Sequence, residues 1–173
     1  MKIDIKCKGE MEMSSLCKQI SEEAKGLIEG IEGRAIWFHL LVEAAEKQNV
    51  DIEKLTDDAI FTFGANLFKD KVAQNAKEFV ALMTEEGPGR EAFNQEVIKS
   101  NAKESIAYFH ACPLVDAWRK YGLSDERIRY LCDLASKGDF GRVSNYPNIS
   151  LAFPKKIAYG DNYCELVATT KEK

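Results

Sequence analysis

Three of the five cysteines lie in the second half of this 173-residue chain, and thiols are its most versatile reactive groups. Cys112 directly precedes Pro113, Cys132 precedes an aspartate, and Cys164 ends the sequence Gly-Asp-Asn-Tyr-Cys. A thiolate is a nucleophile and a metal ligand, whereas a buried thiol packs like a small apolar side chain. The spacing matches neither a zinc finger nor a Cys-x-x-Cys redox pair. The chemistry therefore depends on the surroundings of each cysteine.

Cys112 is the strongest candidate for a catalytic residue. The residue before a proline avoids the helical region, and proline favours the first helical position, so we predict Cys112 at a helix N-cap. The free N–H groups and the positive end of the helix dipole at such a position lower the pKa of a thiol. His110 lies on the same face of the preceding extended segment, where its imidazole suits the role of general base. Ordinary packing of both residues stays an open alternative.

Further candidates are spread along the chain. Cys132 and Cys164 fall on inward faces of a predicted helix and a predicted strand, where packing is the commoner role. Asp139 lies in a glycine-flexed loop after a predicted helix and is a candidate general base or substrate anchor. Arg34 begins a predicted helix, and its guanidinium suits a substrate carboxylate.

Zinc binding is an alternative use of the same side chains. Cys112, Cys132 and Cys164 together with His110 would form a tetrahedral donor set of the kind zinc prefers. Separations of twenty and thirty-two residues between the cysteines neither require nor exclude such a set. The sequence has no glycine-rich phosphate loop, no GxSxG elbow and no HExxH motif, so nucleotide-dependent, serine-hydrolase and zincin chemistry are unsupported.

Composition limits the class of protein and its partners. Hydrophobic residues make up 45% and charged residues 30% of the chain, which is typical of a globular protein. A formal net charge of -4 disfavours nucleic acid as a partner. No segment approaches the roughly 20 apolar residues that cross a bilayer, and the N-terminus has no apolar signal-peptide core. We predict a cytoplasmic protein with reduced thiols. Its expected partner is a small molecule, and neither nucleic acid nor a membrane is expected to bind. A homo-oligomer stays an open alternative.

The elements that must position the candidate residues change character near Lys103. Before this point, apolar residues recur at three- and four-residue spacing, which predicts helices with a break near Gly30. Thr56 is the predicted N-cap of the third of them. An early alternation over Ile3–Cys7 weakly favours a strand. The predicted helices cover Met13–Ile28, Arg34–Lys47, Asp57–Val72 and Arg90–Ile98, with a further apolar helix around Phe79.

After Lys103 the pattern alternates, which predicts strands. Between the first two strands, helices are predicted to begin at Pro113 and after Ser124, and the second should stop at Gly138. Gly160-Asp161-Asn162 is typical of a turn. The predicted antiparallel sheet consists of Lys103–Ala111, Asn148–Tyr159 and Tyr163–Thr170.

These elements predict a single α+β domain over residues 1–173. Its helical part covers about residues 10–100 and packs on a small antiparallel sheet in the part from about 101 to 173. We expect a pocket between the sheet and the helices, lined by Cys112, Cys132 and Cys164.

One pattern of residues consists of Cys112-Pro113, Tyr121-Gly122-Leu123, Leu131-Cys132-Asp133, Asp139, and Gly160-Asp161 followed by Cys164. This pattern resembles the L-2-amino-thiazoline-4-carboxylic acid hydrolase family. The resemblance is most specific between Cys112 and Thr170, and it extends less specifically to the helical first half with Arg34 and Gly64. The C-terminal Gly-Asp-x-x-Cys element is also similar to vinyl-reductase-type small-molecule-binding domains.

The resemblance implies hydrolytic opening of a thiazoline ring to a carbamoyl-cysteine, without a cofactor. It adds Asp161 to the substrate-binding candidates Cys132, Cys164 and Arg34, beside the catalytic candidates Cys112, His110 and Asp139. The chain departs from the family pattern where an arginine is expected, because it has Lys155 and Lys156 there. A lysine binds a carboxylate only as a point charge.

The favoured hypothesis is therefore a cofactor-independent hydrolase of a small cyclic amidine or amide. A non-catalytic sensor domain that binds a small molecule or zinc is the main alternative. A third hypothesis is a structural partner in a dimer, whose thiols only pack. Fast alkylation of one cysteine would favour catalysis over the third hypothesis, and metal content separates the first two.

Overall fold

The computed structural model describes residues 20–171, and its first helix, α1, spans Glu22–Lys47 without interruption. The side chain of Ser21 caps α1 by accepting the N–H of Ala24 at 3.2 Å. The predicted Ile3–Cys7 strand and the first part of the Met13–Ile28 helix lie outside the described residues. The predicted break near residue 30 is wrong, because three glycines, Gly26, Gly30 and Gly33, lie inside α1. Packing of its apolar face outweighs the weak helix propensity of glycine, which costs about 1 kcal/mol at each position.

The segment after α1 is helical from residue 52 to residue 68. It consists of α2 (Ile52–Thr56), a π-helical turn (Asp57–Phe61) and α3 (Thr62–Phe68). The predicted N-cap at Thr56 is wrong, since its hydroxyl donates to the carbonyl oxygen of Ile52 at 2.8 Å inside the helix. The predicted end at Val72 is also too late. Helix α4 follows over Ala76–Met83.

The region predicted as an Arg90–Ile98 helix divides into a short helix and a strand. Helix α5 covers Pro88–Ala92, and β1 covers Gln95–Ser100. Strand β1 pairs antiparallel with β2 (Glu104–Phe109). Cross-strand pairing therefore overrides the helical spacing of a short segment, as tertiary context commonly does. The sheet begins at Gln95, ahead of its predicted start near residue 101.

The remaining strands complete a four-stranded antiparallel sheet with the order β1-β2-β4-β3. Helices α6 (Pro113–Tyr121) and α7 (Asp125–Val143) separate β2 from β3 (Ile149–Lys155), and β4 spans Cys164–Thr170. The α+β prediction is confirmed. The predicted strand over Asn148–Tyr159 is too long, because Ile157–Tyr159 forms a 3₁₀ turn. This turn brings the chain back beside α7.

Helix α7 continues through Gly138 and ends at Val143, so the predicted stop at Gly138 is wrong. Glycines let the backbone of α7 come into close contact with α3 and with the π-helical turn before α3. A Cβ on Gly64 would lie 1.8 Å from the carbonyl oxygen of Gly138, and one on Gly141 would lie 2.0 Å from that of Phe61. Asp139 therefore lies on a helix and not in a loop.

Two apolar clusters form the core. One joins α1, α6, α7 and the 3₁₀ turn around Trp118 and Leu131, and the other joins α4 to the sheet around Phe79 and Leu166. Within residues 20–171, no helix is long and apolar enough to span a membrane. The homo-oligomer stays a prediction.

Candidate functional site

Cys112 occupies the predicted position but not the predicted electrostatic environment. It is the N-cap residue of α6, extended at φ -142° and ψ 98°, with Pro113 directly after it. Burial nevertheless raises the pKa of its thiol to about 12, although the backbone N–H groups of Val115 and Leu114 act in the opposite direction. The predicted depressed pKa is wrong, because loss of hydration outweighs the helix N-terminus. Cys112 is therefore a protonated thiol at neutral pH.

The other two candidate cysteines lie near Cys112. All three pack against the core cluster around Trp118. Burial raises the pKa of Cys132 to about 11 and also raises the pKa of Cys164. Electrostatic interaction with Cys164 raises the pKa of both other thiols. The N–H of Ile157 donates to Cys164 Sγ at 3.3 Å.

A pocket lined by these cysteines stays a prediction. Two surface cavities of about 270 and 290 Å³ lie elsewhere in the described part of the chain, and no cysteine lines either of them. The smaller cavity lies beside Lys99 and Thr169, and the larger lies between α4 and β1 beside Lys77 and Val97.

His110 has other partners than Cys112. Its Nε2 lies 3.0 Å from Glu96 Oε2, and its ring meets those of Tyr108 and Tyr163 at centroid distances of 6.1 and 6.0 Å. No hydrogen bond between His110 and Cys112 is found in residues 20–171. Over the same residues, no group of three or more His, Cys, Asp or Glu side chains is arranged to hold a metal ion. The four-residue zinc set is therefore not assembled there.

Asp139 lies on α7, the helix that also carries Cys132. Its Oδ1 forms an ion pair with Arg142 Nη1 at 3.3 Å. Burial raises the pKa of its carboxyl above the ordinary value, while Arg142 and Lys156 act to lower it. The carboxylate in turn raises the pKa of Cys164. Asp139 is thus a carboxyl that holds its proton more tightly than an ordinary aspartate, which favours a role in acid–base chemistry.

The two remaining predicted residues differ in their placement. Asp161 lies in the turn before β4, where its Oδ2 accepts the N–H of Lys156 at 2.9 Å and fixes the path of the 3₁₀ turn. Arg34 lies in the middle of α1 and is exposed, so its predicted place at the start of a helix is wrong.

Sequence analysis missed the contacts that surround Lys156. Lys156 Nζ lies 2.8 Å from Asp133 Oδ1, and the hydroxyl of Tyr159 donates to Asp133 Oδ2 at 2.5 Å. The ammonium group of Lys156 also lies 5.5 Å from the ring centroid of Tyr159. The sequence singles out Asp133 beside Cys132, and Lys156 at the departure from the family pattern, but it gives no signal for Tyr159. The 3₁₀ turn that places Lys156 and Tyr159 against α7 had been predicted as a strand.

Lys156 links this network to the thiols and to Asp139. Its positive charge lowers the pKa of Cys132, Cys164 and Asp139, although burial is the larger effect in each case. We call the five residues Cys112, Cys132, Cys164, Asp139 and Lys156 the thiol–lysine cluster. It combines a carboxyl of raised pKa, protonated thiols and one cation. Such a set can transfer protons and hold an anion.

The thiols of this cluster are expected to alkylate slowly. With a pKa of about 12, Cys112 has about 10³-fold less thiolate at neutral pH than a free cysteine. Iodoacetamide should therefore modify Cys112 about 10³-fold more slowly than a free cysteine, as followed by peptide mass spectrometry. Labelling in urea is the control, since unfolding should restore the ordinary rate. Folded Cys112 that reacts as fast as free cysteine would contradict a half-buried, protonated thiol.

A comparison with known proteins identifies a family. A family model described as L-2-amino-thiazoline-4-carboxylic acid hydrolase matches residues 15–167. The matched span includes α1, the whole of α7 and the thiol–lysine cluster. A search of curated proteins gives no match.

Proposed function

Because the chain belongs to the L-2-amino-thiazoline-4-carboxylic acid hydrolase family, we propose that it hydrolyses a small cyclic amidine such as a thiazoline carboxylate. The family supports a hydrolase with a small-molecule substrate. The finer proposal is supported by the contacts between α7 and the 3₁₀ turn, where Lys156 pairs with Asp133 and Cys164 Sγ accepts from the N–H of Ile157. The charges of Lys156 and Asp139 both act on the pKa of Cys164. The proposed reaction needs a base, a proton donor and a cation. The thiol–lysine cluster offers all three without a cofactor.

The proposed reaction consumes one water molecule. The water oxygen bonds to the amidine carbon of the ring, between the ring nitrogen and the ring sulfur. The bond from this carbon to the sulfur then breaks, and the carbon becomes the carbonyl carbon of a urea. One water proton ends on the ring nitrogen and the other on the released sulfur. The product is an N-carbamoyl-cysteine with a free thiol.

Asp139 is the proposed general base. A carboxylate with a raised pKa takes a proton from water more readily than an ordinary aspartate does. Burial provides this raised pKa, and the ion pair with Arg142 fixes the position of the carboxyl group on α7. His110 takes no part in the proposed step, because its imidazole is bonded to Glu96 on β1.

Cys112 is a proposed proton donor and not a nucleophile. A thiol with a pKa of about 12 keeps its proton at neutral pH, so it can donate a hydrogen bond to the leaving sulfur or the ring nitrogen. Cys112→Ser retains a donor of similar shape, whereas Cys112→Ala removes it. We expect the serine variant to keep most of the activity and the alanine variant to lose about 10- to 100-fold in kcat. A serine variant as inactive as the alanine variant would instead indicate a nucleophilic thiol.

The direct test is turnover of L-2-amino-thiazoline-4-carboxylate by the full chain. Substrate loss is followed by chromatography, and the product thiol is measured with a thiol-reactive dye. We expect one new thiol for each substrate molecule consumed. Carbamoyl-cysteine must also be identified by mass spectrometry, because release of a thiol alone does not establish which bond was broken. Absence of turnover across the neutral pH range would refute the proposal.

A non-catalytic binding domain is the second candidate function. It is favoured by the placement of both described cavities away from the cysteines, and by thiols that burial keeps protonated. In that case the thiazoline carboxylate would bind, as measured by calorimetry, and remain intact.

A further inference from the structure

The positive charge of Lys156 lowers the pKa of both Cys132 and Cys164. Its side chain is 20% exposed, compared with 46% for Asp133, so neighbouring residues cover most of the lysine side chain. Lysine has three N–H donors, and one of them is directed at Asp133 Oδ1. The ammonium therefore retains donors for a second anion.

The network beyond Lys156 fixes the ammonium group in place. Asp133 Oδ1 accepts from Lys156, and Asp133 Oδ2 accepts from the hydroxyl of Tyr159. The backbone N–H of Lys156 is bonded to Asp161 Oδ2, so both ends of the residue are held. A flexible lysine normally loses much side-chain entropy when it binds an anion. A lysine that is already ordered loses less, which favours binding.

We propose that Lys156 is a carboxylate-binding residue, held beside the thiols by Asp133 and Tyr159, and that it makes the chain selective for ring substrates that carry a carboxylate. This inference deepens the proposed hydrolase function and rests on it for the identity of the ring. In a bound substrate the carboxylate meets the ammonium group, and the ring lies toward the thiols and Asp139. Asp133 and Tyr159 are positioning residues, because they act through Lys156.

The neighbouring lysine provides a matched control. Lys155 Nζ bonds to the hydroxyl of Tyr163 at 2.7 Å and lies 4.8 Å from the ring centroid of that tyrosine. Lys155 has the same side chain and the same charge as Lys156. Its partner Tyr163, however, packs against the rings of Tyr108 and His110. Lys155→Met thus controls for loss of one lysine charge.

The experiment measures binding and turnover separately. The binding probes are 2-aminothiazole-4-carboxylate and 2-aminothiazole, aromatic rings that resist hydrolysis and differ only in the carboxylate. We expect Lys156→Met to weaken binding of the carboxylate probe 10- to 100-fold in calorimetry, with little change for the neutral probe. Lys155→Met should bind both probes like the unmodified chain, and Lys156→Arg should restore at least part of the carboxylate preference.

Turnover distinguishes a failure of this inference from a failure of the hydrolase proposal. Unchanged preference for the carboxylate probe in Lys156→Met would overturn the role of Lys156, whether or not the chain turns over substrate. Lysine-dependent binding without turnover would support the carboxylate site and refute the hydrolase. In an active chain, Lys156→Met should raise KM more than it lowers kcat, because the carboxylate is remote from the bond that breaks.

Tyr159→Phe tests the positioning role. This substitution removes the hydroxyl that donates to Asp133 Oδ2, while Lys156 and Asp133 themselves are unchanged. We expect a smaller loss of carboxylate affinity than in Lys156→Met, again with little change for the neutral probe. An equal loss for both probes would indicate a merely structural role and would overturn the positioning assignment.

Discussion

Asp139→Asn is expected to lower kcat/KM for thiazoline ring opening by about 10²- to 10⁴-fold, the range that removal of a general base produces. Asparagine has nearly the same shape and keeps an oxygen that can accept from Arg142, but it cannot take a proton from water. The measurement is the initial rate of substrate loss at substrate concentrations well below KM, which is proportional to kcat/KM. A variant with kcat/KM within threefold of the parent chain would remove Asp139 from the mechanism.

The same variant should not lose stability at neutral pH. Burial raises the pKa of Asp139 above its ordinary value of 3.8 in the folded chain, so the folded chain holds this proton more tightly than the unfolded chain. The stabilising contribution of Asp139 is therefore complete below the ordinary pKa and is lost as pH rises through the raised pKa. Asparagine does not ionise. We expect the stability of Asp139→Asn relative to the parent chain to increase with pH above about 4.

Urea denaturation over a series of pH values measures this difference in the free energy of unfolding. Asp125→Asn is the matched control, because Asp125 lies on the same helix in its exposed first turn. It should retain full activity and lose at most about 1 kcal/mol, since an acidic residue near a helix N-terminus contributes no more than that. A relative stability of Asp139→Asn that falls as pH rises would contradict the raised pKa.

Gly64→Ala is expected to destabilise the fold strongly, in contrast to alanine at a glycine such as Gly30, where a Cβ would meet no atom within 4 Å. The added Cβ would lie 1.8 Å from the carbonyl oxygen of Gly138, and a backbone atom cannot turn aside as a side chain can. Helices α3 and α7 would have to separate. We expect a loss of about 3 kcal/mol or more in the free energy of unfolding, at the upper end for overpacked sites. Thermal denaturation should shift by about 6–12 °C.

Gly30→Ala is the control for this substitution. Gly30 lies in the middle of α1, and a Cβ there would meet no atom within 4 Å. We expect alanine to stabilise the chain by about 0.5–1 kcal/mol, since glycine in a helix is less favourable than alanine by that amount. Equal effects of the two substitutions would show that close backbone contact between α3 and α7 is not required.

Local patterns in the sequence were sufficient for features that depend on neighbouring residues. The proline after Cys112 predicted the start of α6, and Ser124 predicted the cap of α7. The alternation after Lys103 predicted an antiparallel sheet that includes the segments of β2 and β4, and these two strands pair directly. Each of these features depends on backbone preferences or on side-chain periodicity over a few residues.

Several predicted ends of helices and strands are wrong because tertiary packing determines where these elements end. Gly30, Gly33 and Gly138 look like helix ends in the sequence, but packing keeps α1 and α7 intact through them. Glycine at positions 64 and 141 permits close contact between helical segments, and no local pattern indicates which segments will touch. The segment Gln95–Ser100 becomes a strand because β2 offers it a partner.

The sequence by itself determined the fold class, the family resemblance and the position of Cys112 at a helix N-terminus. Only the tertiary structure decided the chemical state of that thiol. The N-terminal dipole is a local effect that favours the thiolate, but burial against the apolar cluster around Trp118 removes hydration and raises the pKa of Cys112 to about 12. Burial depends on residues distant in the chain, and so does the approach of Lys156 to Asp133. The electrostatics of the candidate site therefore had to come from the packed structure.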